Sequence, residues 1–178
     1  TFEFHSKVAW TSKHRLLKAE LRHMVNNLEN YLMTQINSTP VAQLAKKFEE
    51  AKSIDQVTEA HIRYLHSIRD KCLQHERAAV VADTIRKILN LALQFRKTHA
   101  AYQSAAEQPD CEEPSSEAHA QRRAADEALE RISEDLRRCA RLLVVVLQKV
   151  VQKGFHSHLE DLLTRLSFNG YYDSSRRV

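Results

Sequence analysis

The sequence predicts an all-α fold, and three observations carry that prediction. Its 178 residues hold two glycines and three prolines. Average usage would give Gly near 7% and Pro near 5%, and a sheet protein needs turn residues every 8–12 positions. Apolar residues recur at alternating steps of three and four over long segments, the spacing of one helix face. Two capping boxes, Ser53 with Gln56 and Ser157 with Glu160, mark helix starts. The apolar fraction of 43% excludes wholesale disorder. The length suffices for one domain with a core of its own.

The first helix is expected over about 3–37. Leu17, Leu21, Met24, Leu28 and Tyr31 step by 4, 3, 4 and 3, and Val25, Leu32 and Ile36 widen the stripe. A stripe that wide faces a core. Thr39-Pro40 ends it, because Pro40 cannot continue the backbone bonding yet suits a first helical turn. A short helix over 40–51 then turns Val41, Leu44 and Phe48 inward. Ser53 opens a helix to about 74 whose inward stripe is Val57, His61, Leu65, Ile68 and Cys72. The fourth, over 76–104, uses Val81, Ile85, Ile88, Ala92, Phe95, His99 and Tyr102. Residues 107–116, with Pro109, Pro114 and several acids, form a flexible acidic surface loop. A helix over 117–152 follows, with Leu129, Ile132, Leu136, Cys139, Leu143, Val146 and Val150 as its seam. Gly154 is its C-terminal stop. A last short helix carries Leu159, Leu162, Leu163 and Leu166 on one face. Four long helices with short links make an antiparallel bundle, plus short helices, within a single domain over 1–178. Thr1 in place of Met is the mark of a piece, the C-terminal part of a longer protein.

Several chemistries are excluded by what the chain lacks. Neither glycine lies in a phosphate-binding loop, and no GxSxG elbow occurs. Cys72, Cys111 and Cys139 form no CxxC pair and fit a reducing compartment. The run Leu142–Leu147 is too short to span a membrane. Ten histidines invite a search for metal sites. Glu20 and His23 make one Glu-x-x-His step, where a di-iron bundle needs two. Both fall off the stripe and read as a solvated face. His61 and His99 lie on apolar stripes and read as buried, hydrogen-bonded imidazoles. A general base would need a neighbouring acid or nucleophile in a cleft. No metal, no cofactor and no enzymatic activity are expected.

Two segments carry features that a core does not require. Lys7, Lys13, Arg15, Lys18 and Arg22 make the first 23 residues basic, and Trp10 sits among them. The net charge of +4 fits an acidic protein surface better than nucleic acid, since acids are dispersed among the bases elsewhere. At the other end, Arg165, Phe168, Asn169, Tyr171 and Tyr172 surround an Asn169-Gly170 corner. Tyrosine rings need burial while their hydroxyls need a polar partner. Lys7, Trp10, Lys13, Arg15, Arg165, Phe168, Asn169, Tyr171 and Tyr172 are therefore the candidate partner-binding residues.

With these helices in place, three segments resemble the C-terminal part of gamma-tubulin complex components. Leu21-Arg22-His23-Met24-Val25-Asn26-Asn27-Leu28-Glu29-Asn30-Tyr31 is similar to the family's "LR..M..F..NLQYY" helix. Ala51-Lys52-Ser53-Ile54-Asp55-Gln56-Val57, with His61-Ile62-Arg63-Tyr64-Leu65 and Cys72-Leu73, resembles "A.D.D.....H..FL......CLL". Arg165 to Tyr172 looks like the terminal "RLDFN.YY", with Ser167 where the family commonly has aspartate. The wording Asn27 to Ile36 and the acidic insert resemble the less abundant ring components. The resemblance implies a second helical domain that holds gamma-tubulin beside other gamma-tubulin complex components. It implies a role in microtubule nucleation in the cytoplasm and cytoskeleton, at the centrosome or spindle pole, without nucleic acid or membrane. A helical scaffold or adaptor with no tubulin partner is the alternative reading.

The acidic loop should be dispensable. Replacing 107–116 by a short Gly-Ser linker should leave the thermal midpoint and gamma-tubulin capture unchanged, because long surface loops cost little to shorten. Loss of capture in a pull-down would show that the loop carries contacts.

Overall fold

A computed structural model describes the backbone of residues 2–106, 116–154, 158–167 and 172. Side chains are described over these residues except 2–11, 36–39, 77, 105–106 and 116–119. The described residues contain no strand and form six α-helices: α1 (Phe2–Leu32), α2 (Thr39–Glu50), α3 (Ile54–Lys71), α4 (Ala79–Ala106), α5 (Ser116–Gln152) and α6 (Leu159–Ser167). A π-helical segment, Met33–Ser38, joins α1 to α2, and a 3₁₀ turn, Glu76–Ala78, precedes α4. The all-α expectation holds. None of the helices among the described residues is long and apolar enough to cross a membrane. The expected acidic loop lies outside the described residues, apart from Ser116, which opens α5.

The helix ends follow from local chemistry. Ser53 is extended (φ −147°, ψ 158°), and its hydroxyl accepts the N–H of Gln56 at 3.3 Å. The Gln56 side chain reaches back one residue further than a standard capping box and accepts the Lys52 N–H at 2.8 Å. At the far end of α3, Leu73 takes the left-handed conformation (φ 59°) that usually falls to glycine. The Leu73 N–H bonds the Asp70 carbonyl and the Gln74 N–H the Arg69 carbonyl, each at 3.1 Å, which completes a Schellman closure. Leu73 is buried, so its side-chain burial offsets a conformational cost of about 1–2 kcal/mol. Gly154 (φ 70°) ends α5 as expected, its N–H bonding the Val151 carbonyl at 2.9 Å.

Pro40 acts differently from the expectation. No loop separates α1 from α2; the helix widens over Met33–Ser38 and continues. Proline has no N–H to return to the carbonyl four residues back, and its ring crowds that carbonyl. A wider turn ahead of it relieves both problems without ending the helix.

The chain groups into two compact units. The first comprises Thr1–His23 and Arg86–Ala140. Its buried side chains are Leu17 and Leu21 on α1, Ile88, Leu91 and Phe95 on α4, and Leu129, Ile132, Leu136 and Ala140 on α5. Lys13 on α1 donates to Glu130 on α5 at 3.2 Å. The second comprises Met24–Ile85 and Arg141–Val178. It buries Met24, Leu28, Tyr31, Val81, Leu143, Val144, Leu147, Leu159, Leu162, Leu166 and Tyr172. Thr84 is buried there too, its hydroxyl bonding the Val80 carbonyl at 2.7 Å. Within this unit α2 packs against α3.

Several sequence expectations need correction. The buried line of α5 is Leu129, Ile132, Leu136, Ala140, Leu143 and Leu147, whereas Cys139, Val146 and Val150 are half-buried. A strict heptad drifts off a straight helix by about 20° per repeat, so the true line steps by 3.6 rather than 3.5. On α4, Thr84 and Leu91 take inward places expected of Ile85 and Ala92. Glu20 is buried rather than solvated, because it lies one turn from both Leu17 and Met24. The largest departure is α3: of its expected inward stripe, His61 and Leu65 are exposed and Val57, Ile68 and Cys72 half-buried.

Leu143→Ala should cost about 2–5 kcal/mol, the range for emptying a fully buried leucine site. Leu65→Ala should stay within about 0.5 kcal/mol of the parent. Urea denaturation midpoints of the two variants test both values at once.

Candidate partner-binding surface

The described residues contain no cluster of three metal-ligating side chains. What the second unit does present is an apolar helix face turned outward. At 100° per residue, Ile54, His61 and Leu65 fall within about 40° of one another along α3. Ile62 lies beside them. Ile54 is 81% exposed, Leu65 49% and Ile62 47%. The residue that α3 buries is the small Ala60, on another side of the helix. On α2, Val41 (45% exposed) and Phe48 (39%) were expected inward and are likewise open. A single exposed leucine needs no explanation, but apolar residues set in one row do.

The charges around this face are largely answered locally. Arg63 pairs with Glu59 one turn away, Lys46 with Glu50 at 3.8 Å, and Arg69 with Asp70 at 4.0 Å. Exposed pairs of this kind contribute little stability. They leave the rim of the stripe without a strong field of either sign, so the face is suited to apolar contact. His61, the polar member of the row, lies 6.5 Å from the Tyr64 ring at 19°.

A second feature of this unit fixes where α3 ends. The Tyr31 hydroxyl donates to the Lys71 carbonyl at 2.9 Å, across forty residues of sequence. Burial, then Cys72 and Asp161, push the phenol above its ordinary value, so it stays a neutral donor. Its ring stacks on His158 at 6.3 Å. An open cleft of about 440 Å³ borders this contact, lined by Arg63, His66, Ser67, Asp70, Lys71 and His158. Cations and an acid share its wall.

The residues singled out from sequence divide between the two units. Lys13 and Arg15 are exposed on α1 in the first, and Lys13 is engaged by Glu130. Arg165 belongs to the second, where its Nε bonds Asp161 Oδ2 at 2.9 Å. Tyr172 is buried there, so any influence on a partner passes through the surface it supports. The side chains of Lys7 and Trp10, and Phe168, Asn169 and Tyr171 as a whole, lie outside the described residues. So does Ser157, the expected cap of α6. Sequence reasoning missed Ile54, Ile62 and Leu65 as surface residues, because a stripe looks the same whether its own chain or another covers it. The one available signal was His61, a polar group in the middle of an apolar row.

A family model described as gamma tubulin complex component C-terminal matches residues 2–172. Over 151 residues the chain is 35% identical to gamma-tubulin complex component 5 of Mus musculus, covering 85% of this chain and 13% of that protein. It is 26% identical over 168 residues to gamma-tubulin complex component 6 of Mus musculus, covering 90% and 9%. A segment of 86 residues is 30% identical to gamma-tubulin complex component 3 of Arabidopsis thaliana, covering 48% and 10%. The chain thus spans a small fraction of each relative's length.

Tyr31→Phe should destabilise by about 1–2 kcal/mol, through loss of one hydrogen bond and exposure of an unmet carbonyl at the end of α3. Guanidinium denaturation gives the total, and faster amide exchange at Leu73 and Gln74 would place the loss there.

Proposed function

The chain belongs to the gamma-tubulin complex component family, matching its C-terminal region, and from that premise we propose that it is a gamma-tubulin-binding module of a gamma-tubulin ring complex subunit. Its role is to hold gamma-tubulin beside other gamma-tubulin complex components and so support microtubule nucleation at microtubule-organising centres, the centrosome or spindle pole. The observation that carries this reading is the outward row on α3, Ile54, His61 and Leu65, with Ile62 exposed on the same helix. A seam with near-heptad spacing that the described residues leave largely open accepts a partner helix or a flat apolar patch. Covering each large side chain contributes about 1.5–3 kcal/mol. The basic segment with Lys7, Trp10, Lys13 and Arg15, and the terminal group Arg165, Phe168, Asn169, Tyr171 and Tyr172, serve as further or supporting edges of the contact. The work proposed here is positional and asks for no bond making.

The test is gamma-tubulin affinity of the full chain against a double variant, Ile54→Ser with Leu65→Ser. Affinity should fall at least tenfold, about 1.4 kcal/mol, while the thermal midpoint stays in place because neither side chain is in the core. Unchanged affinity would remove α3 as the contact.

A further inference from the structure

We propose that His14 and His99 form a proton-sensing pair, which holds α1 to α4 within the first compact unit while both imidazoles are neutral and loosens that face on acidification. Their ring centroids are 4.6 Å apart with the planes inclined at 38°. Phe95 completes the cluster, 5.2 Å from His14 and 5.8 Å from His99. Phe95 and His99 are one turn apart on α4 and share a face. Phe95 is buried and the two imidazoles half-buried. In the neutral state the three rings pack as an aromatic cluster, tilted toward one another as such rings prefer.

Protons change the character of this contact. Two imidazolium charges at this separation repel, and the half-buried setting weakens screening by water. The charges around the pair add to the effect. Lys18 lies one turn along α1 and raises the positive potential at His14. On α4, Arg96 is the nearest cation around the helix from His99 and is exposed, while Lys97 lies on the opposite side. From α5 comes Glu130, whose carboxylate is engaged by Lys13, the residue beside His14. Burial first, then His99, then Lys18 hold His14 below the ordinary imidazole value of 6.5.

The sign of the linkage follows. His14 in the unfolded chain takes up its proton as pH falls through the ordinary imidazole range, about 6.5. Folded His14 resists that proton, so the unfolded state binds more protons. Stability from the pair is complete above this range and is lost as pH falls through it. With both imidazoles charged, their mutual repulsion opens the contact.

The experiment combines a direct and an indirect measurement on the full chain. In an NMR titration the His14 ring should change its shifts at a pH below that of a free imidazole. Thermal midpoints between pH 8 and pH 5 should fall for the wild type, and His14→Gln and His99→Gln should each flatten that fall. His66→Gln, which changes an exposed imidazole in the other unit, should keep the wild-type slope. Either of two results overturns the proposal: a His14 midpoint at or above that of free imidazole, or a pH slope untouched by both pair variants. The titration of the wild type decides the matter even if a glutamine variant fails to fold.

Discussion

Within the second compact unit one hydrogen bond, from the Tyr31 hydroxyl to the Lys71 carbonyl, spans forty residues of sequence. It joins the last turn of α1 to the last turn of α3. A helix end leaves carbonyls without partners, and each needs an answer. Here Cys72, Leu73 and Gln74 supply backbone N–H groups to the carbonyls of Ile68, Asp70 and Arg69. Tyr31 answers that of Lys71. The tyrosine does so from the core, where burial raises its phenol above its ordinary value and His158 stacks against its ring. With the end of α3 pinned in this way, Leu73 is held in a conformation that costs energy, its side chain inside.

That same pinning sets which side of α3 faces outward. A helix fixed at its end by Tyr31 and turned to bury Ala60 presents Ile54, His61 and Leu65 to the outside. The unit's own core is meanwhile built by other elements: Met24 and Leu28 of α1, Leu143 and Leu147 of α5, and the leucines of α6. An apolar helix face can thus remain open without emptying the core. This is the pattern expected of a surface shaped by a partner rather than by folding. The locally answered charges beside it fit the same account, since a neutral rim lowers the desolvation needed to cover an apolar strip.

Much of the fold was legible in the sequence, and the misses have physical causes. The line Leu17, Leu21, Met24, Leu28 and Tyr31 was read correctly, because each of its residues meets a core, whereas Leu32, expected to widen it, is exposed. Ser53 and Gly154 were read correctly because caps and left-handed stops depend on local chemistry alone. Leu73 was missed because nothing local favours a leucine with positive φ; only its burial does. The seam of α5 was read with a heptad period and slid off by a residue at Ala140. The site was less legible than the fold. Periodicity reveals that a face is apolar, and leaves open which chain covers it. Of the residues singled out from the two chain ends, Tyr172 is in the core and Arg165 in a local ion pair.

The π-helical segment Met33–Ser38 has a consequence for how this chain tolerates change. Each turn of that kind holds about one residue more than an α-turn, which rotates everything downstream by roughly 100°. The apolar side of α2 is therefore out of phase with that of α1, although the two helices are continuous. Val41 and Phe48, on that side of α2, are both exposed. Loss of a single residue between 33 and 38 would turn α2 by about 100° relative to the helix before it. Length in this segment, more than sequence, is the quantity that must be kept.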